Sequence, residues 1–151
     1  MRVTKDNINK FIEGTNMYCS NKGITNIEYI PDGITGLNCW NNKLTELPKL
    51  PESLEYLDCG NNQLTELPKL PESLTNLNCS NNQLTELPKL PESLTNLNCS
   101  NNQLTELPKL PDSLYYLDCK HNNLPYKITI DNLKQHNKLI KRKQILSRIC
   151  G

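Results

Sequence analysis

Twenty residues recur without a change in the middle of this chain: 64–83 read LTELPKLPESLTNLNCSNNQ, and 84–103 read the same. With small edits the unit runs back to residue 44, and in a weaker form to residue 14, so about six copies make up most of the sequence. A period this short excludes a conventional central core. Each unit is too small to bury its own apolar side chains, so the copies must stack, bury those side chains against their neighbours and be covered at both ends. The period therefore predicts a solenoid at 14–124, flanked by an N-terminal cap at 1–13 and a C-terminal basic helical cap at 125–151. Only 36% of residues are hydrophobic, yet they fall at fixed spacing, and this pattern excludes disorder.

Aligned on cysteine, one copy reads Leu54, Leu57, Cys59, Asn62, Leu64, Leu67, Pro68, Leu70, Pro71. Alternation puts Leu57 and Cys59 on one side of a short strand and residues 56, 58 and 60 on the other. Strands stacked in parallel about 4.8 Å apart would make six copies span on the order of 25 Å. The return limb, Thr-Glu-Leu-Pro-Lys-Leu-Pro-Glu-Ser, carries two prolines three residues apart and cannot be helical. An extended, polyproline-like convex face follows, anchored by Leu67 and Leu70. Asn42, Asn62, Asn82, Asn102 and Asn122 sit where an inward amide can bond to backbone at the corner after each strand. The first copy has Lys22 there and lacks the Leu-Pro pair, as suits a terminal repeat.

The series L-x-x-L-x-C-x-x-N-x-L resembles the leucine-rich repeat, with Cys in place of the third strand-side Leu. Its twenty-residue length and L-P-x-L-P-x-S-L link are similar to the short repeats of type III secreted bacterial effectors. That resemblance covers residues 14–124 and implies an array that binds host proteins, in a cytoplasm reached by delivery into a host cell. Some such effectors carry a ubiquitin-ligase domain with a catalytic cysteine. This chain has 27 residues after the repeats and no Cys-x-Asp, so that activity is not carried over. Leu124-Pro125 followed by Ile128 and Ile130 faintly resembles the opening of an F-box, an adaptor motif for ubiquitin-ligase scaffolds, but a terminal repeat leading into a capping helix explains the same residues more simply.

Outside the repeat, Ile8, Phe11 and Ile12 at helical spacing after Asp6 predict one or two N-capped helical turns over the first copy. Asp131 is the expected N-cap of a helix running to about Ile149. Its apolar arc is Leu133, Leu139, Ile140, Leu146 and Cys150, with Lys134, Lys138, Lys141 and Arg142 outside it. Charge divides along the same boundary. Residues 1–124 carry ten Lys/Arg against fifteen Asp/Glu, and residues 125–151 carry seven against one. A solvated outer face of a capping helix explains that basicity, and polyanion binding, to membrane or nucleic acid, is the alternative to it. No nucleic-acid motif supports the alternative.

The N-terminus lacks the apolar run of a signal peptide and no stretch is apolar for long enough to span a bilayer, so a cytoplasmic protein is expected. Cysteines at 19, 39, 59, 79, 99 and 119 form one column. Parallel thiols on a flat ladder do not converge tetrahedrally, so no metal and no cofactor is expected, and reduced thiols serve as small core hydrophobes. Spacing alone leaves a cross-strand disulfide open. Cys150 is expected to be a structural or incidental thiol. His121 and His136 show no acid, base or ligand partner, and the chain is expected not to be an enzyme.

Function is then expected on the open strand face, through a monomer binding another protein. The middle copies are monotonous there, with Asn76, Asn78 and Ser80, then Asn96, Asn98 and Ser100. The candidate partner-binding residues are Tyr18, Trp40, Tyr56, Asn78, Asn98, Tyr116, Asp118 and Lys120. Exposed aromatics anchor protein interfaces because they bury large area with few rotors. Trp40 is the first choice, with packing over Gly60 as its structural alternative. In the rival arrangement the array is a spacer, and residues 125–151 act as a polyanion-binding or ubiquitin-adaptor element.

Overall fold

The computed structural model describes residues 1–150, without the side chains of 149 and 150. Its strands in chain order are β1 (Arg2–Val3), β2 (Ile12–Glu13), β3 (Asn16–Tyr18), β4 (Asn26–Ile27), β5 (Gly36–Asn38), β6 (Tyr56–Asp58), β7 (Asn76–Asn78), β8 (Asn96–Asn98) and β9 (Tyr116–Asp118), and the helix α1 spans Leu133–Cys150. The strands β3, β5, β6, β7, β8 and β9 lie side by side in parallel, in a register that advances twenty residues per rung: Leu37 faces Leu57, Leu57 faces Leu77, and Leu77 faces Leu97. The duplication thus becomes translational symmetry.

Inward columns form the core. Leu54, Leu57, Cys59 and Leu64 are fully buried, and Leu67 and Leu70 close the convex side at 8% and 3% exposure. Each buried leucine contributes about 1.5–3 kcal/mol before ordering entropy. The return limb carries neither helix nor strand, only a turn at Pro-Glu-Ser, as its prolines require. Ser73 Oγ there donates at 2.7 Å to the carbonyls of Glu52 and Leu54 in the previous copy, and Ser93 and Ser113 do the same one and two rungs on.

The corner after each strand is held by two asparagines with different tasks. The first, at 21, 41, 61, 81 and 101, is left-handed with φ between 53° and 58°, and His121 takes that conformation in the last copy. Asparagine tolerates it better than most side chains. The second points inward. Asn62 Nδ2 lies 3.1 Å from the carbonyls of Cys39, Cys59 and Gly60, and its Oδ1 accepts from the Leu44 amide at 3.0 Å. In the first copy, where Lys22 replaces the asparagine, the Ile24 amide donates to Asn42 Oδ1 as in the other copies, and the Lys22 amide donates to it as well.

The ends depart from the sequence expectations. Instead of N-capped α-helical turns after Asp6, the first cap has a single 3-10 turn at Ile8–Phe11 with Asn7 at its cap position. It stops there because Ile12–Glu13 turn back at Gly14 to pair antiparallel with Asn16–Met17, which covers the first edge of the sheet. The pair β1–β4, parallel, ties the N-terminus to the first convex limb.

At the other end, helix entry lies earlier than Asp131. Thr129 is the cap of a short 3-10 turn, and its amide donates to Asn132 Oδ1 at 2.9 Å. The C-terminal segment caps the last repeat through Ile128, ahead of the helix, and through Leu133, His136 and Ile140 of α1, all buried, whereas Leu139 and Leu146 of the expected arc are exposed at 37% and 60%. Docking uses only the first turns. Asn137 clasps the last convex limb, accepting from the Leu110 amide at 2.8 Å and donating to its carbonyl at 2.7 Å, and residues 141–148 are exposed.

Candidate functional site: the open strand face

In-register pairing sorts the outward side chains into columns. One runs Asn16, Gly36, Tyr56, Asn76, Asn96, Tyr116, and the next runs Tyr18, Asn38, Asp58, Asn78, Asn98, Asp118. Residues two further on, from Ser20 through Trp40, Gly60, Ser80 and Ser100 to Lys120, continue the face beyond the strands. The ladder fixes the backbone beneath these side chains, and a pre-ordered surface loses less entropy on any docking than a flexible one.

Tyr56 and Tyr116 stand in one column three rungs apart, which is about 14 Å at the usual strand spacing. Between them lies a shallow recess lined by Asn76, Asn78, Asn96 and Asn98. The tyrosines are 43% and 48% exposed. Burial of the ring, then the Asp58 carboxylate beside it, pushes the Tyr56 phenol above its usual range, so it stays a neutral donor.

The asparagines of the second column are partly committed to their own turns. Asn78 Oδ1 accepts from the Ser80 amide at 3.1 Å and from Ser80 Oγ at 2.8 Å, and Asn78 Nδ2 donates to Asp58 Oδ1 at 3.0 Å. Asn98 repeats the Ser100 contacts. Asp118 does the same for the Lys120 amide at 3.2 Å. In the first column, Asn96 Oδ1 is buried with no hydrogen-bond partner.

Tyr18, Asn38 and Trp40 belong to the first two rungs, where Tyr18 is 49% exposed. Trp40 packs beside Gly60: a Cβ there would stand 3.1 Å from Trp40 Cδ1. The ring is 38% exposed, so packing over the glycine and availability to a partner coexist. Asp118 and Lys120 lie outside the asparagine recess and line a second one with His121, Tyr126 and Ile128, where the array meets the C-terminal segment. Tyr115, 68% exposed beside Tyr116, was not among the expected site residues, although the Tyr-Tyr pair marks the last copy as unlike the middle ones.

The cysteine column and His136 are built into the packing. Cysteines 19, 39, 59, 79, 99 and 119 are free and buried. Burial pushes the Cys19 thiol up to about 12 and those of Cys39, Cys59 and Cys79 well above the usual value, so they are poor nucleophiles. Cys150 lies outside the residues whose side chains are described. Among the described residues, no three His, Cys, Asp or Glu side chains are grouped to hold a metal ion. His136 is buried between Tyr126 Oη at 2.9 Å and the Pro108 carbonyl at 3.0 Å, a bridge between cap and array that spacing alone did not reveal. No described helix is long and apolar enough to cross a membrane.

Residues 32–72 match the family described as leucine-rich repeats in two copies, and residues 73–94 and 93–114 match the single leucine-rich repeat. No curated protein matches the chain. Among solved structures, the chain is similar to a Shigella effector LRR domain at 36% identity, with a TM-score of 0.74 over 78% of this chain and 54% of that one. It is similar to YopM, a leucine-rich effector protein from Yersinia pestis, at 37% identity and TM-score 0.72, over 79% of this chain and 34% of that one. The functional domain of InlJ from Listeria monocytogenes, which includes a cysteine ladder, matches at 30% identity and TM-score 0.52 over 80% of this chain and 33% of that one. The chain thus spans between about a third and a half of the length of these relatives. Repeat matches across 32–114, the in-register parallel ladder and the likeness to effector arrays agree: this chain belongs to the leucine-rich repeat family of protein-interaction scaffolds, with repeats of the type III effector kind.

Proposed function

We propose that the chain is a non-enzymatic scaffold that, as a monomer, holds another protein against its open strand face, with Tyr56, Tyr116 and Trp40 as anchors. One observation carries this: the two tyrosines stand half-exposed on the same column of a fixed sheet, with a carboxamide-lined recess between them. Rings held in this way offer large area, and the asparagines between them offer neutral donors and acceptors, so a polar peptide surface can be matched without a charge penalty. Likeness to effector LRR domains supports a cytoplasmic setting, reached by delivery into a host cell.

The test compares capture of partners by the intact chain, by Trp40→Ala/Tyr56→Ala and by Lys134→Glu/Lys138→Glu/Lys141→Glu. The aromatic variant should weaken a captured partner by about tenfold or more, the size of a modest interface hot spot. The tail variant should leave it unchanged. Loss with the tail variant alone would place binding in residues 125–151 and overturn this assignment.

A further inference from the structure

Between α1 and the convex limb of the last repeat lies a cleft of about 570 Å³. Lys134, Lys138 and Lys141 reach it from one face of the helix, and Lys109 reaches it from the array. Asn137 and Ile140 also line it, and the buried Ile140 supplies an apolar floor. We propose that this cleft is a binding site for a small phosphoryl-bearing ligand.

Local charge points to an anion. Lys109 is paired with Glu92 at 2.7 Å, but among the described residues no carboxylate lies within 4 Å of the ammonium of Lys134, Lys138 or Lys141. Asp112 is the single carboxylate lining the cleft. Counting Glu92 as well, four ammonium groups face two carboxylates, so a cationic excess remains. Lysines three and four apart on one helical face repel each other, a cost that a bound anion would relieve. A recess walled by protein also focuses that field more than a flat surface would.

Shape narrows the class. The volume falls in the range of small-molecule sites, and Ile140 with the lysine stems gives the body of a ligand an apolar seat beneath the charged rim. Ammonium groups converge on a phosphoryl group from several directions as point charges. A soluble phosphorylated metabolite and a phosphorylated lipid headgroup share this chemistry.

Calorimetric titration of the full chain separates them, with inositol hexakisphosphate and pyrophosphate as soluble probes and phosphatidylcholine vesicles with and without a phosphoinositide as the lipid arm. Saturable binding of one ligand per chain is expected from at least one probe. Lys134→Gln/Lys138→Gln/Lys141→Gln should weaken it by about tenfold or more, as loss of charge-assisted contacts requires. A charge-matched control, Lys49→Gln/Lys69→Gln/Lys89→Gln, should change it less than about twofold, since those lysines lie outside the cleft. The single variant Lys138→Gln, with helix content checked by circular dichroism, serves if the triple variant loses its helix, and a fall of about threefold or more is expected from it. Binding only to phosphoinositide vesicles would identify the lipid source; binding to the soluble probes would identify a metabolite. No saturable binding by any probe, equal loss in the cleft and control variants, or unchanged affinity in the folded cleft variants would overturn the site. Tyr56→Ala should leave the cleft unaffected, so its failure and that of the strand-face assignment are read separately.

Discussion

Two neighbouring asparagines in the same repeat should respond unequally to substitution. Asn82 points inward: its Nδ2 lies 3.1–3.2 Å from the carbonyls of Cys59, Cys79 and Ser80, and its Oδ1 takes the Leu64 amide at 2.9 Å. Asn82→Ala removes two or three bonds worth about 1 kcal/mol each. It also strands the amide of the fully buried Leu64, bringing the total to about 3–5 kcal/mol. That is a large share of a domain's stability. Asn81 points outward at φ 54°, and its side chain makes one long contact, 3.4 Å to Ser80 Oγ. Asn81→Ala should cost about 1–2 kcal/mol through backbone strain, and Asn81→Gly should be close to neutral. Urea denaturation gives the global cost. Hydrogen exchange at the Leu64 amide gives the local one, with protection lost in Asn82→Ala and kept in both Asn81 variants. If Asn82→Ala costs less than about 1 kcal/mol, or if both alanine variants cost the same, the inward carboxamide does not hold the corner.

Gly60→Ala places a Cβ 3.1 Å from both Trp40 Cδ1 and Asn78 Nδ2. Because Trp40 is the one tryptophan, its emission should shift to the red as the ring is displaced, at a stability cost of about 1–3 kcal/mol; an unchanged spectrum would mean that the ring does not rest on Gly60. The thiol column sets an alkaline limit. Each folded thiol pKa is raised above the unfolded value of 9.0, so the stability it contributes is intact below that pH and is lost as pH rises, through to about 12 for Cys19. The slope is about 1.4 kcal/mol per pH unit for each fully buried thiol. Urea midpoints at about pH 8 and about pH 11 should therefore converge for Cys79→Ala relative to the intact chain, and parallel shifts would refute the buried-thiol account.

What was legible in the sequence is what translation along the stack enforces. Leu57, Cys59, Leu64 and Leu70 have no alternative to the interior once copies lie in register, so spacing alone located them. The inward asparagines were legible for the same reason. Their left-handed neighbours were not, although an Asn-Asn pair at the same place in four copies was the available signal. The ends were read less well because nothing there repeats. Helical spacing at Ile8, Phe11 and Ile12 was overruled by the antiparallel return at Gly14. Leu139 and Leu146 looked like core on a helical wheel, but α1 extends past the limb it packs on, and no wheel contains that limit. On the open face, the aromatic columns were visible from the period, whereas the tying of Asn78 and Asn98 to their own turns was visible only in the structure.

Copies 64–83 and 84–103 lie between the rung of Tyr56 and the rung of Tyr116, and their strands pair with the strands on either side in one unbroken twenty-residue register. They act as interchangeable spacers. Gain or loss of one such unit in the gene would move the two tyrosines apart or together by a single strand width, about 4.8 Å, without disturbing either cap. The separation of the two rings is therefore inherited as a whole number, and if the strand face binds as proposed, a lineage could fit it to a larger or smaller target by recombination before any point mutation is selected.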